Sequence, residues 1–229
     1  MKWQMDIHTP HIPVLNLSNV RKFLCVMSVL AGLGGLAGAR AAEVGAASAD
    51  AAAGAKAARI VSIGGAVTEI LFALGMGDKV IAVDQTSQYP AAARALPQVG
   101  YSRALSPEGV LSVGPSLILA IEGAGPKSTL DVIKAASVPV VMVPEAHTPE
   151  GVVEKIMIVA RAVGAEEEGK ALADAVAADF DQVAREVAAL KTRPRAVFVL
   201  SASGGSAVVD GADTSADAVL RLAGAENVM

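Results

Sequence analysis

Continuous apolar runs alternating with segments of helical period restrict the fold of this chain more than any other feature. Residues 59–63 form a β-branched run broken by Gly64-Gly65, after which Val67, Ile70, Leu71 and Leu74 recur at helical spacing before Gly75. Further runs at 79–83, 116–121 and 138–143 read as strands, with helical stretches at 106–113 and 126–136 between the later ones. A strand that is apolar on every residue has no polar face to offer water. Strands of this kind, separated by helices, form a parallel sheet covered on both sides. The first part of the chain, residues 59–164, is therefore read as an α/β lobe.

Val152, Ile156, Val159 and Val163 mark an amphipathic helix ending at Gly164, and a longer one begins at Glu166 with Leu172, Val176, Val183, Val187 and Leu190 as its stripe. About 25 residues at roughly 1.5 Å each make a rod of nearly 40 Å, more than one small sheet needs for coverage. Such a rod, spanning 165–192, suits a bridge between two lobes. After Pro194 follow a strand at 195–200, Gly204-Gly205, an extended stretch at 207–209 and a helix at 215–223, before the last residue, Met229. One strand of the buried type and one helix leave sheet edges and an apolar face uncovered. The second lobe, 193–229, is read as incomplete.

Residues 1–41 do not follow this pattern. Arg21 and Lys22 precede an uncharged apolar run from Phe23 to Leu36, and Ala39-Arg40-Ala41 supplies the small residues of a cleavage site. This is the profile of a signal peptide behind an N-terminal extension, with a retained anchor as the competing reading. Cys25, the single cysteine, falls ahead of the run's end and does not resemble a lipoprotein acceptor. Processing near Ala42 would leave a thiol-free protein with 15 basic and 22 acidic residues, a balance of −7. The Ala, Gly and Ser of 42–58 read as a flexible leader.

Composition removes several classes of function. Aromatic residues make up 3% of the chain and no Lys/Arg cluster exceeds two residues, so neither stacking platforms nor a phosphate-gripping patch is present. Nucleic acid is excluded as a partner on this ground. Gly64-Gly65 after the first strand invites a nucleotide reading, yet the third spaced glycine of a dinucleotide fingerprint and the Gly-Lys-Ser/Thr of a phosphate loop are both missing. No nucleophile elbow, His/Cys cluster or paired-carboxylate motif stands out. The chain is expected to bind, not to catalyse.

Tyr101, one of two tyrosines, lies between a strand and a helix, where loops beyond the carboxyl ends of parallel strands meet ligands. A phenolate is a hard, anionic donor suited to ferric iron, and tyrosinate is a haem ligand in some proteins. From residue types alone, a packed loop tyrosine is the commoner case. Arg103 could support the phenolate or pair with a carboxylate. Glu108, in Ser106-Pro107-Glu108, suits a helix N-terminus.

The segment Arg59-Ile-Val-Ser-Ile-Gly-Gly-Ala-Val-Thr-Glu-Ile-Leu-Phe-Ala-Leu-Gly75, with Val99-Gly-Tyr101-Ser-Arg103-Ala-Leu-Ser-Pro-Glu108-Gly-Val-Leu-Ser112, resembles the periplasmic haem-binding proteins of bacterial ABC importers. The resemblance implies a two-lobe α/β fold, parallel sheets joined by the long helix, and haem held between the lobes by a monomer. It implies Tyr101 as the axial ligand of the haem iron and Arg103 as a supporter of the phenolate or partner of a propionate. It implies Glu108 as a docking contact for the permease, which works with an ATPase at the inner membrane. Some relatives place a histidine near Ala202, which this chain lacks, and His147 stays unassigned. A cobalamin or ferric-siderophore carrier of the same transporter class is the alternative.

Overall fold

The computed structural model describes residues 59–203 and 206–229. The signal-like segment, Cys25 and the Ala/Gly-rich leader lie outside these residues.

Four parallel strands form the central sheet: β1 (Ile60–Ile63), β2 (Val80–Val83), β5 (Leu117–Ile121) and β6 (Val140–Val143), in the order β2-β1-β5-β6. In β1, β5 and β6 the apolar residues divide by alternation between two cores, because successive side chains on a strand leave opposite faces. Ile60, Leu117 and Leu119 join one core with Leu71 of α1 (Gly65–Ala73) and Val159 of α4 (Pro149–Val163). Val61, Ile63, Ile118 and Ala120 join the other, with Val110 of α2 (Pro107–Leu111) and Ile133 of α3 (Lys127–Ala135). Strands covered on both faces are apolar at nearly every position, the buried Ser62 of β1 being the exception, which is why these runs were legible.

α4 ends at Gly164 in a left-handed conformation, φ 69°, and α5 (Glu166–Ala188) runs back along it. A Cβ on Gly169 would fall 2.2 Å from that of Ala160, so the glycine permits the close helix crossing. At 23 residues α5 is about 34 Å long. Its first half carries the buried Gly169 and Ala173, whereas Val183 and Leu190 of the expected stripe are exposed.

The remaining segment departs from the sequence reading. The run expected as one buried strand splits into β7 (Arg195–Ala196) and β8 (Phe198–Ser203), and every residue of β8 is exposed. β8 pairs antiparallel with β9 (Ser206–Asp210), whereas β7 pairs parallel with β10 (Glu226–Asn227), which follows α6 (Ser215–Leu222). Apolar content announces that Phe198, Val199 and Leu200 suit burial; it does not supply the layer that would bury them.

Candidate functional site

In the sheet order the chain leaves β1 through α1 to β2 on one side, then crosses to β5 on the other. Connections diverging from neighbouring strands open a crevice at the carboxyl edge, the usual ligand position in such sheets. A cavity of about 630 Å³ lies there, within the roughly 300–1,000 Å³ of small-molecule sites. Its walls come from Ser102 and Arg103, from Glu122 and Gly123 after β5, from Glu145 and His147 after β6, and from Leu200, Asp210 and Asp213 beyond the long helix. The wall residues include four carboxylates, those of Glu122, Glu145, Asp210 and Asp213, and one guanidinium, that of Arg103. Glu145 is partly neutralised by Lys155, whose ammonium donates to it at 2.9 Å, and its N–H donates to Glu122 at 3.1 Å.

Tyr101 is not in a loop but in a two-residue strand, β3 (Gly100–Tyr101), paired antiparallel with β4 (Ala104–Leu105). Gly100 has φ 113°, a conformation a side chain would strain, and it starts the turn that presents Ser102 and Arg103. The hairpin is held from both sides. The N–H of Gln85 donates to the carbonyl of Gly100 at 2.9 Å, while Gly125 donates to Ser102 at 2.8 Å and accepts from Leu105 at 2.9 Å. The Thr129 hydroxyl donates to the Leu105 carbonyl at 3.1 Å. Tyr101 is 43% exposed, and among the described residues neither its hydroxyl nor the Arg103 guanidinium has a hydrogen-bond or ion-pair partner. Arg103 lines the cavity; Tyr101, two residues earlier, is not among its wall residues.

Glu108 stands apart from the cavity, exposed in the first turn of α2. The cap there is Ser106, whose hydroxyl accepts from Gly109 at 3.0 Å. The same start recurs at α4: Thr148-Pro149-Glu150-Gly151, with the Thr148 hydroxyl accepting from Gly151 at 3.0 Å. The hydroxyls cap both helices, and to helix stability the glutamates add the favourable charge of a first-turn acid. His147 is exposed and lines the cavity, Ala202 is exposed on β8, and Glu69 is exposed on α1.

Sequence reasoning missed a buried polar cluster. Asp84, fully buried at the end of β2, accepts from the N–H of Gly64 at 2.8 Å, the N–H and hydroxyl of Thr86 at 3.0 and 2.7 Å, and the Ser87 hydroxyl at 2.8 Å. The donors that a phosphate would need at the glycine turn are thus taken: Gly64 by Asp84, and Gly65 by the Thr86 hydroxyl at 3.2 Å. An Asp-x-Thr-Ser stretch closing a strand is an Asx-turn signal that could have exposed part of it. Among the described residues no group of three or more His, Cys, Asp or Glu is placed to hold a metal ion.

A two-core parallel sheet with a crevice at its carboxyl edge is an α/β architecture that accommodates small ligands. A family model described as periplasmic binding protein matches residues 60–229, and the chain belongs to that family. Among solved structures it resembles the apo periplasmic heme-binding protein RhuT from Roseiflexus sp. RS-1, 37% identical at TM-score 0.70 over 73% of this chain and 64% of that one. It resembles BhuT, solved with two hemes, at 42% identity and TM-score 0.72 over 75% and 67%. A heme-binding protein from Pseudomonas aeruginosa is 32% identical, with TM-score 0.70 over 74% and 62%. The vitamin B12-binding protein of Yersinia pestis is 37% identical over 84 residues, 37% of this chain and 30% of that protein. The chain thus spans about two thirds of the length of these heme-binding structures and under a third of the vitamin B12-binding relative.

Proposed function

We propose that the chain is the haem-capturing component of a bacterial ABC importer, exported to the periplasm by an N-terminal signal peptide, which passes haem to a permease and ATPase complex at the inner membrane. It acts as a monomeric binding protein, not as an enzyme. Residues 59–164 form its first lobe, 165–192 the interlobe helix and 193–229 part of the second lobe. The observation that carries this reading is the exposed, unpartnered Tyr101 phenol on a hairpin fixed at the ligand edge, two residues from the one guanidinium in the cavity wall. The heme-binding names of three relatives at 32–42% identity support it.

In this reading the iron arrives inside the porphyrin, and Tyr101 supplies the axial oxygen from the protein side. Arg103 lowers the energy of the phenolate or holds a propionate, a role for which its fork of donors is suited. Glu108 docks to an arginine of the permease. A cobalamin carrier is the second reading; the vitamin B12-binding relative matches over 84 residues, 37% of this chain and 30% of that protein, and does not favour it over haem. It gives the phenol no iron to bind.

Spectroscopic titration separates the two. Ferric haem added to the purified protein should give a phenolate-to-iron spectrum that Tyr101→Phe abolishes. An identical spectrum in that variant, or selective binding of cobalamin, overturns the haem reading.

A further inference from the structure

The buried carboxylate of Asp84 has no part in the proposed capture of haem, yet its surroundings lead to Tyr101. Oδ1 accepts from Gly64 N–H and the Ser87 hydroxyl, both at 2.8 Å; Oδ2 accepts from Thr86 N–H at 3.0 Å and the Thr86 hydroxyl at 2.7 Å. Four donors meet the four lone-pair sites of a carboxylate. The chain continues from Ser87 to the Thr68 hydroxyl at 2.7 Å, and from there to the Ser62 hydroxyl at 2.7 Å. β1, the glycine turn, α1 and the loop after β2 are thereby tied at one buried point. A buried carboxylate is unfavourable unless it is paired or fully hydrogen-bonded. An apolar side chain would cover this surface without that cost, so the charge points to the work of holding the loop.

That loop carries Gln85, whose N–H donates to the Gly100 carbonyl, one residue before Tyr101. Alongside it, Val83 donates to Pro97 and accepts from Val99, each at 2.9 Å. The opposite tether, through Gly125 and Thr129, comes from the far side of the sheet.

We propose that Asp84 is a positioning residue for the Tyr101 phenol: through the loop it fixes and the Gln85–Gly100 hydrogen bond, it holds the hairpin at the angle from which the phenol meets its ligand. Only the statement about iron rests on the haem reading; the mechanical coupling does not. Asp84→Asn keeps the size of the group but turns an NH₂ toward two hydrogen donors, and so releases one side of the loop.

The test has two arms on the full chain. In the unliganded protein, Asp84→Asn should speed amide exchange in peptides covering 84–87 and 99–105 by about tenfold or more, with 117–121 and 140–143 unchanged. In titrations, its Kd for ferric haem should rise by roughly 10–100-fold, the range typical of a lost outer-shell partner, while its Kd for metal-free protoporphyrin stays as in the wild type. Ser87→Ala, which removes one of the four donors, should move both readouts in the same direction by less, and it decides the matter if Asp84→Asn does not fold. Unchanged exchange in 99–105, or equal losses for haem and protoporphyrin, overturns the proposal. Should the wild type lack a Tyr101-dependent haem spectrum, the haem reading fails while the exchange arm still decides the coupling.

Discussion

Gly64 stands so close to Ile121 that a Cβ on the glycine would lie 2.8 Å from both the Cβ and the Cγ2 of the isoleucine. The turn from β1 into α1 has to pass beside the end of β5, and Gly64 does so at φ 112°, where other residues are strained. Gly64→Ala adds that strain to an overlap against a branched side chain. Together these should cost about 2–4 kcal/mol. Urea unfolding should show a lower midpoint at an unchanged slope.

Lys155 is a buried charge whose partner, Glu145, lines the cavity. Its side chain is 6% exposed and its ammonium lies 2.9 Å from Glu145, whose side chain is 39% exposed. Removing the carboxylate leaves a buried cation without its partner, whereas removing the cation leaves a carboxylate that water can reach. Glu145→Ala should therefore cost about 1–3 kcal/mol, less than a fully buried pair because solvent screens the glutamate, and Lys155→Met should cost less than that. Denaturant titration of both variants ranks the losses; the reverse order would contradict the geometry.

The fold was legible wherever one strand's own residues record both of its environments. Leu117 to Ala120 are buried and apolar throughout, so the run itself announces two covered faces. The site was legible only in part. Gly100-Tyr101 and Ala104-Leu105 are too short to show a period, and their pairing is set by hydrogen bonds from Gln85, Gly125 and Thr129, distant in sequence. Asp84 and Lys155 read as ordinary polar residues because burial is decided by what packs over them. The opposite error arose at Phe198 to Leu200, where an apolar run is exposed.

Asp217 gives stability a pH dependence. The Asn227 side chain donates to it at 3.1 Å, and with the Asp213 N–H and Arg221 it holds the carboxyl below its ordinary value of 3.8, against the opposing effect of burial. A depressed folded-state value means that the unfolded chain binds the proton more readily. The contribution is therefore complete above the ordinary value and is lost as pH falls through the lower, folded-state one. Asn227→Ala removes the principal cause, and its stability should fall less steeply than that of the wild type on acidification below pH 4. Unfolding free energies measured from pH 6 to 2 check the difference in slope.

Glu108 and Glu150 form an internal control for docking. Both follow a capping hydroxyl and a proline, and both are exposed in a helix's first turn. If Glu108 serves only its helix, Glu108→Ala and Glu150→Ala should be equivalent, each losing the roughly 0.3–1 kcal/mol of a first-turn acid and nothing else. If Glu108 meets an arginine of the permease, its variant alone should fail to stimulate the ATPase of the reconstituted transporter, with haem affinity unchanged. Glu108→Gln should behave as alanine does, because the contact needs the charge. Added salt should weaken wild-type stimulation for the same reason, since an exposed ion pair is screened. Equal stimulation by both alanine variants, at equal stability, would return Glu108 to the helix-start role it shares with Glu150.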